Sequence, residues 1–345
     1  MSDISDLSKV HYDWLDVFKG LSIFFIIFAH LVVVGKLNPV VFSFMVHCFF
    51  FAGGLTCASG LKKPFKEFVC TKAKRLIIPY FSFGIISIVT IILTDDSSTL
   101  QSLIVYLRQL LYGNRVHSFA ATLWFFPCLF FMGIFYYLVA RVVQNKWLRL
   151  LVCAIISATF RFFFEGNVLP WGIDNAVRFL VYYAAGDTFA DSLNCLATDT
   201  SLFFKKLWLP ALCFISLVLA YFQYQFGLTY FIDILGIPSS YMVLAALGSF
   251  YAFNGIFLTA MAAIALQRVK SLQTVGKQTL LICGLQKPVD RIVYYAVSLF
   301  GLTLSNATQV YSIMLAIIFL FVSVKLSKPF HEYFPYLLGE KPKDK

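Results

Sequence analysis

The chain carries little charge for its size. Only 13% of its 345 residues are Asp, Glu, Lys or Arg, against about a quarter in soluble domains. In contrast, 60% are hydrophobic and the mean hydropathy is +0.80. That balance excludes a soluble globular fold. Eight cysteines occur without a CxxC pair, which removes the usual zinc and thioredoxin-like signatures. The five histidines and seventeen acids show no HExxH or similar ligand spacing, so no metal site is expected. A cleavable leader is not expected either, because Asp13 and Asp16 precede the first apolar run and no A-x-A site follows it. Internal repeats and low-complexity tracts are also lacking.

What is present is a series of long apolar runs. A helix needs about 20 such residues to cross the hydrocarbon core. Runs of that kind lie at 14–34, 41–60, 76–93, 122–140, 147–164, 175–192, 207–226, 241–266, 278–301 and 308–325. The expected fold is an all-α integral membrane protein, a bundle of about ten transmembrane helices forming one domain over 1–345. The net charge of +11 would suit nucleic acid only if it formed a basic patch on a soluble face, and here the basic residues sit between the runs. With the N-terminus inside, twenty of the 28 Lys and Arg fall in inner segments, and only Lys36, Arg108 and Arg115 fall in outer ones. The positive-inside rule then puts both termini in the cytoplasm of a multi-pass cell-membrane protein. None of the cysteines lies in an outer segment, so they read as small buried hydrophobes rather than disulfide partners. The outer stretch TLQSLIVYLRQLLYG repeats leucines at i, i+3, i+4 and i+7, which predicts an interfacial helix near 99–113 that packs on the bundle or lids an outward-facing site.

Five basic residues, Lys19, Arg161, Arg178, Lys287 and Arg291, fall inside the runs. A charge at a helix centre costs about 2.5–3.5 kcal/mol on insertion scales, so such groups usually face the interior and serve function. The first run places Asp16, Lys19 and His30 on one helix. Lys19 and His30 are about three turns and 16 Å apart and share a face, while Asp16 and Lys19 are i, i+3 neighbours suited to an ion pair. Lys19 either snorkels to the headgroups or lines a polar interior. His30 either ties helices together or exchanges protons near neutral pH. The second run holds His47 and Gly53-Gly54. The basic stretch KKPFKEFVCTKAKRLIIPY is explained by topology alone, although Lys74 and Arg75 at the membrane face are also placed to hold phosphates. Arg161 with Glu165, and Asp174 with Arg178, are i, i+4 pairs around a turn containing Trp171. They either neutralise each other or bind a polar acceptor beside an aromatic platform. Gln286, Lys287, Asp290 and Arg291 form a polar turn around Pro288, of the kind tolerated at membrane depth only where it is buried or lines a cavity.

In order along the chain, DVFKGLSIFFIIFAH, FMVHCFFFAGG, KAKRLIIPYFSFG, LWFFP, the stretch from Asp174 to Gly186 and VGKQTLLICGLQKP resemble the motifs of the acyltransferase-3 family, most closely its fucose 4-O-acetylase-like branch. The resemblance implies an enzyme that passes an acyl group, usually acetyl, from cytosolic acyl-CoA to a hydroxyl of an extracytoplasmic or lipid-linked glycan. Acetyl-CoA is then a cosubstrate and no cofactor is tightly bound. Membrane lipids and the glycan are the partners, and a homodimer is an allowed assembly. His30 becomes the catalytic histidine, with Lys19 and Asp16 on its helix, and Lys74 and Arg75 meet the CoA. His47, Trp124, Arg161, Trp171, Asp174, Arg178 and Gln286 are candidate acceptor-binding residues. The chain departs from the family pattern at two places. Met45 stands where the FHMP histidine falls, with His47 at its proline, and Gln286 stands where a later histidine falls. A transporter or glycan exporter using the same polar residues is the rival reading.

Overall fold

A computed structural model describes residues 12–31, 37–95, 99–113, 122–164, 166, 168–205, 208–299 and 309–340. Among them no strand occurs, and the elements are helices joined by short turns. In chain order these are α1 (Asp13–Leu31), α2 (Leu37–Phe42), α3 (Met45–Leu55), α4 (Ala58–Leu61), α5 (Phe65–Thr94) and α6 (Leu100–Tyr112). Next come α7 (Phe125–Val142), α8 (Lys146–Phe163), α9 (Ile173–Arg178), α10 (Leu180–Thr198), α11 (Ser201–Lys205) and α12 (Trp208–Phe226). The last are α13 (Tyr230–Ile234), α14 (Tyr241–Ala265), α15 (Lys270–Lys277), α16 (Thr279–Leu299) and α17 (Gln309–Tyr333).

Six described segments are long and apolar enough to cross a membrane: Leu37–Leu55, Phe65–Thr94, Phe125–Val142, Trp208–Phe226, Tyr241–Ala265 and Ile313–Tyr333. The other four expected runs coincide with α1, α8, α9 with α10, and α16, which carry the intramembrane charges and are less uniformly apolar. Large side chains such as Leu93, Ile155, Phe214 and Phe321 are exposed, the surface that lipid would cover.

Three elements differ from their sequence outline for local reasons. The run at 41–60 breaks into α2 and α3 at Ser43, whose backbone N–H reaches Pro39 and whose hydroxyl bonds the Val40 carbonyl at 2.6 Å. The run at 175–192 is divided at Phe179, between α9 and α10. Most consequential is α5, which starts at Phe65, directly after Pro64, and runs for 30 residues. At 1.5 Å per residue it is about 45 Å long, so the basic stretch outlined as a loop is instead helix, and Lys72 and Arg75 stand on a rigid wall.

The packing is closest where side chains are missing. A Cβ on Gly54 would collide with the Tyr183 carbonyl, and one on Gly186 with that of Phe51, so α3 and α10 touch backbone to backbone. Likewise Gly20 and Gly276 let α15 lie against the N-terminal half of α1. Beside the α3–α10 contact, the buried Asp187 accepts a 2.6 Å hydrogen bond from Tyr136 and pairs with Arg149 at 3.1 Å, which satisfies a carboxylate that would otherwise be costly inside the bundle. Helix α1 belongs to both apolar cores, one built on α3, α10 and α14 and the other on α5, α7 and α16. Helix α6 is bounded by a Thr99–Ser102 capping box and by Gly113 in the left-handed region. The Tyr80 hydroxyl donates to the Leu110 carbonyl at 2.6 Å, tying α6 to α5.

Candidate functional site

A cavity of about 490 Å³ opens among α1, α3, α5, α7 and α16. Its mouth is basic, with Lys19, Lys63, Lys72 and Arg75 in its wall, while its deep end is apolar at Ile26, Phe126, Leu129 and Cys283. Helix geometry produces this polarity. Lys72 and Arg75 lie at i, i+3 and so share one face of α5, and Gly53 and Gly60 also line the cavity. The four cations differ in their partners. Lys19 is held by Asp16 at 2.7 Å, and Asp16 also lies 4.0 Å from Lys277. Lys63 pairs with Glu67 at 2.6 Å. Lys72 has only the Tyr183 hydroxyl at 3.4 Å and the faces of Phe68 and Tyr183, at 5.8 and 5.7 Å. Neither Lys72 nor Arg75 forms an ion pair among the described residues. Two cations left without carboxylates on one helix face, Lys72 half-buried and Arg75 exposed at the mouth, suit a multiply charged anion, and the apolar end suits a thin uncharged chain.

His30 stands on α1 one turn beyond Ile26, at the apolar end. Its Nδ1 lies 2.8 Å from the Ile26 carbonyl oxygen. A carbonyl can only accept, so Nδ1 carries the proton and Nε2 keeps its lone pair. The imidazole is therefore set in the tautomer of a base. Gln286 continues the α16 wall one turn beyond Cys283. It is fully buried, and among the described residues neither its amide nitrogen nor its oxygen has a hydrogen-bond partner.

Not every expected site residue gathers here. Lys74 is exposed and does not line the cavity; its carbonyl is instead approached by Gly339 of the C-terminal turn Pro335–Leu338. Trp171 has a left-handed backbone, φ 60°. Its indole N–H donates to the Leu111 carbonyl at 2.9 Å and its ring contacts Tyr80, Phe81 and Phe131, so it pins α6 to the bundle. Asp174 accepts from Arg178 at 3.3 Å and from the Leu169 N–H at 3.4 Å, while Arg178 also reaches the Phe164 carbonyl at 2.7 Å. Together they close the turn between α8 and α9. Trp124 precedes α7 and packs edge-on against Phe50.

His47 sits against Phe179 and Tyr182, at 4.8 and 4.5 Å between centroids. Arg161 lies over the Phe179 ring at 5.3 Å and bonds Ser249 at 2.9 Å. Glu165, its expected partner, lies outside the described residues. Sequence reasoning missed Lys72 as a wall residue, although its spacing from Arg75 held the signal once that stretch is helix. It also missed the backbone carbonyl that orients His30, which no side-chain motif encodes. Among the described residues no three His, Cys, Asp or Glu side chains cluster as metal ligands.

No curated protein and no solved structure matches the chain. The acyltransferase-3 family, described as an acyltransferase domain, does match, over residues 12–327. Because that region takes in every helix that lines the cavity, the chain belongs to this family and is a membrane acyltransferase.

Proposed function

We propose that the chain is an O-acyltransferase of the fucose 4-O-acetylase-like branch, moving an acetyl group from cytosolic acetyl-CoA to a hydroxyl of an extracytoplasmic or lipid-linked glycan. It does so from a ten-span topology in the cell membrane, with both termini cytoplasmic. The observation that carries this reading is the cavity's polarity: cations at the mouth, an apolar throat, and a base-tautomer histidine one turn past the end. Lys72 and Arg75 take the phosphates of the donor. Lys19, fixed by Asp16, lines the entry, and the pantetheine arm extends along the apolar wall toward His30.

Nε2 of His30 removes the proton of the acceptor hydroxyl as its oxygen attacks the thioester carbonyl. The carbon–oxygen bond forms, the carbon–sulfur bond breaks, and the proton held on His30 passes to the CoA thiolate, so that ester and free thiol leave. Gln286, buried with two unused hydrogen-bonding atoms, supports a role in holding the acceptor or the carbonyl oxygen.

The test is transfer from labelled acetyl-CoA to membrane glycans by vesicles bearing the wild-type chain or His30→Ala at equal abundance. Labelling by the wild type alone is expected. Equal labelling removes His30 from the chemistry. No labelling by either, in vesicles supplied with the host's full set of envelope glycans, favours the transporter reading.

A further inference from the structure

A second, larger cavity of about 960 Å³ lies away from the donor site, between α10, α12 and α14. Its wall is mostly apolar, and its position along the helices is informative. On α12 it extends from Trp208 to Leu219, eleven residues or about 16 Å of helix. That is close to half of the roughly 30 Å hydrocarbon core. The groove therefore has the depth of one leaflet, the one on the side of the basic loops.

At the shallow end stand Trp147 and Trp208, both exposed, the residue type that settles at the headgroup level. Charges of both signs surround that end. Asp191, 82% exposed, pairs with Lys146 at 2.7 Å, and Asp199 lies 4.0 Å from Lys205. At the deep end the polar groups are satisfied within the protein, since Asn254 donates to the Ser216 carbonyl at 3.1 Å.

Helix α12 itself is poorly supported by protein. It packs on α14, α2 and the short α11, and only Leu209, Ser216 and Gln223 on it are buried. An apolar slot of leaflet depth beside a helix short of packing partners needs an apolar chain to fill it.

We propose that this groove is a phospholipid site. One acyl chain of an inner-leaflet lipid fills it, and a zwitterionic ethanolamine headgroup sits at the rim. The ammonium faces Asp191, and the phosphate faces Lys146 and Lys205. A purely anionic headgroup would meet as many carboxylates as ammonium groups there. Phe51 links the groove to the donor cavity: it lines the groove from α3, while its neighbours Ala52 and Gly53 line the donor cavity. The site lies outside the donor cavity and does not depend on the identity of donor or acceptor.

The test uses the full-length chain purified in mild detergent from membranes containing both phosphatidylethanolamine and phosphatidylglycerol, with retained lipid extracted and counted per chain. The wild type should keep roughly one phosphatidylethanolamine. Ile215→Trp, which fills the slot from its lipid-facing edge, should keep roughly fivefold less. Asp191→Lys, a change at an exposed residue, should reverse the headgroup preference toward phosphatidylglycerol. Equal retention by the wild type and Ile215→Trp would overturn the assignment, as would absence of any headgroup preference. Oxidative cross-linking of two Trp208→Cys chains in native membranes would also overturn it, by showing that a second copy covers the groove.

Discussion

At the residue scale, the proposed donor site depends on which cations keep their charge uncommitted. Lys63 and Lys19 have carboxylates within 2.7 Å, whereas Lys72 has a phenol and two ring faces. An ammonium held by aromatic faces is positioned without being neutralised, so Lys72 retains the greatest gain from an incoming phosphate. Lys72→Met is expected to raise the KM for acetyl-CoA roughly tenfold, which corresponds to about 1.4 kcal/mol, with kcat nearly unchanged. Lys74→Met, at an exposed position off the wall, should leave both constants within about twofold. Steady-state kinetics at saturating acceptor separates the two. An equal effect of both substitutions would mean that the basic stretch acts as a diffuse field rather than as a built site.

At the scale of elements, the glycine contacts between α3 and α10 hold the cavity wall in register. Gly54 and Gly186 leave no room for a methyl group, because each faces a backbone carbonyl of the other helix, and backbone cannot swing aside as a side chain can. Gly54→Ala should therefore separate α3 from α10, costing about 1–3 kcal/mol as overpacking does, and should impair activity because Gly53 and Ala52 line the proposed donor cavity. The control is Gly248→Ala on α14, where nothing lies within 4 Å of the new Cβ. There the gain in helix propensity, about 0.5–1 kcal/mol, should leave stability equal or slightly improved. Thermal unfolding in detergent reads both. Two equally destabilised variants would show that these glycines matter for the helices themselves and not for their crossing.

At the scale of the whole molecule, the arrangement of charge should decide orientation. The proposed ten spans place Cys70, exposed on α5, on the cytoplasmic side and the exposed turn at Leu235 on the outer side. A membrane-impermeant maleimide should label Leu235→Cys in intact cells and Cys70 only after the cell is opened, and the reverse pattern would invert the topology. The all-helical class was legible in the sequence, as were six of the apolar runs as candidate spans, since an apolar run of about 20 residues suits a helix that crosses a bilayer. The pair of Asp16 with Lys19 was legible too, because both lie on one helix and their spacing alone brings them together. Sequence did not disclose that the basic stretch after Leu61 is the start of α5, because charge masks helical periodicity, nor that this turns Lys72 inward and Lys74 outward. Trp171 looked like an open platform until its contacts with α6 showed it filled. The chain by itself determined the all-helical class and which segments are apolar enough to cross a membrane, because those follow from transfer free energies summed residue by residue. Only tertiary structure decided which cations share a cavity, which carbonyl sets the tautomer of His30, and where a gap is left for lipid, because these depend on distances between residues that no local pattern relates.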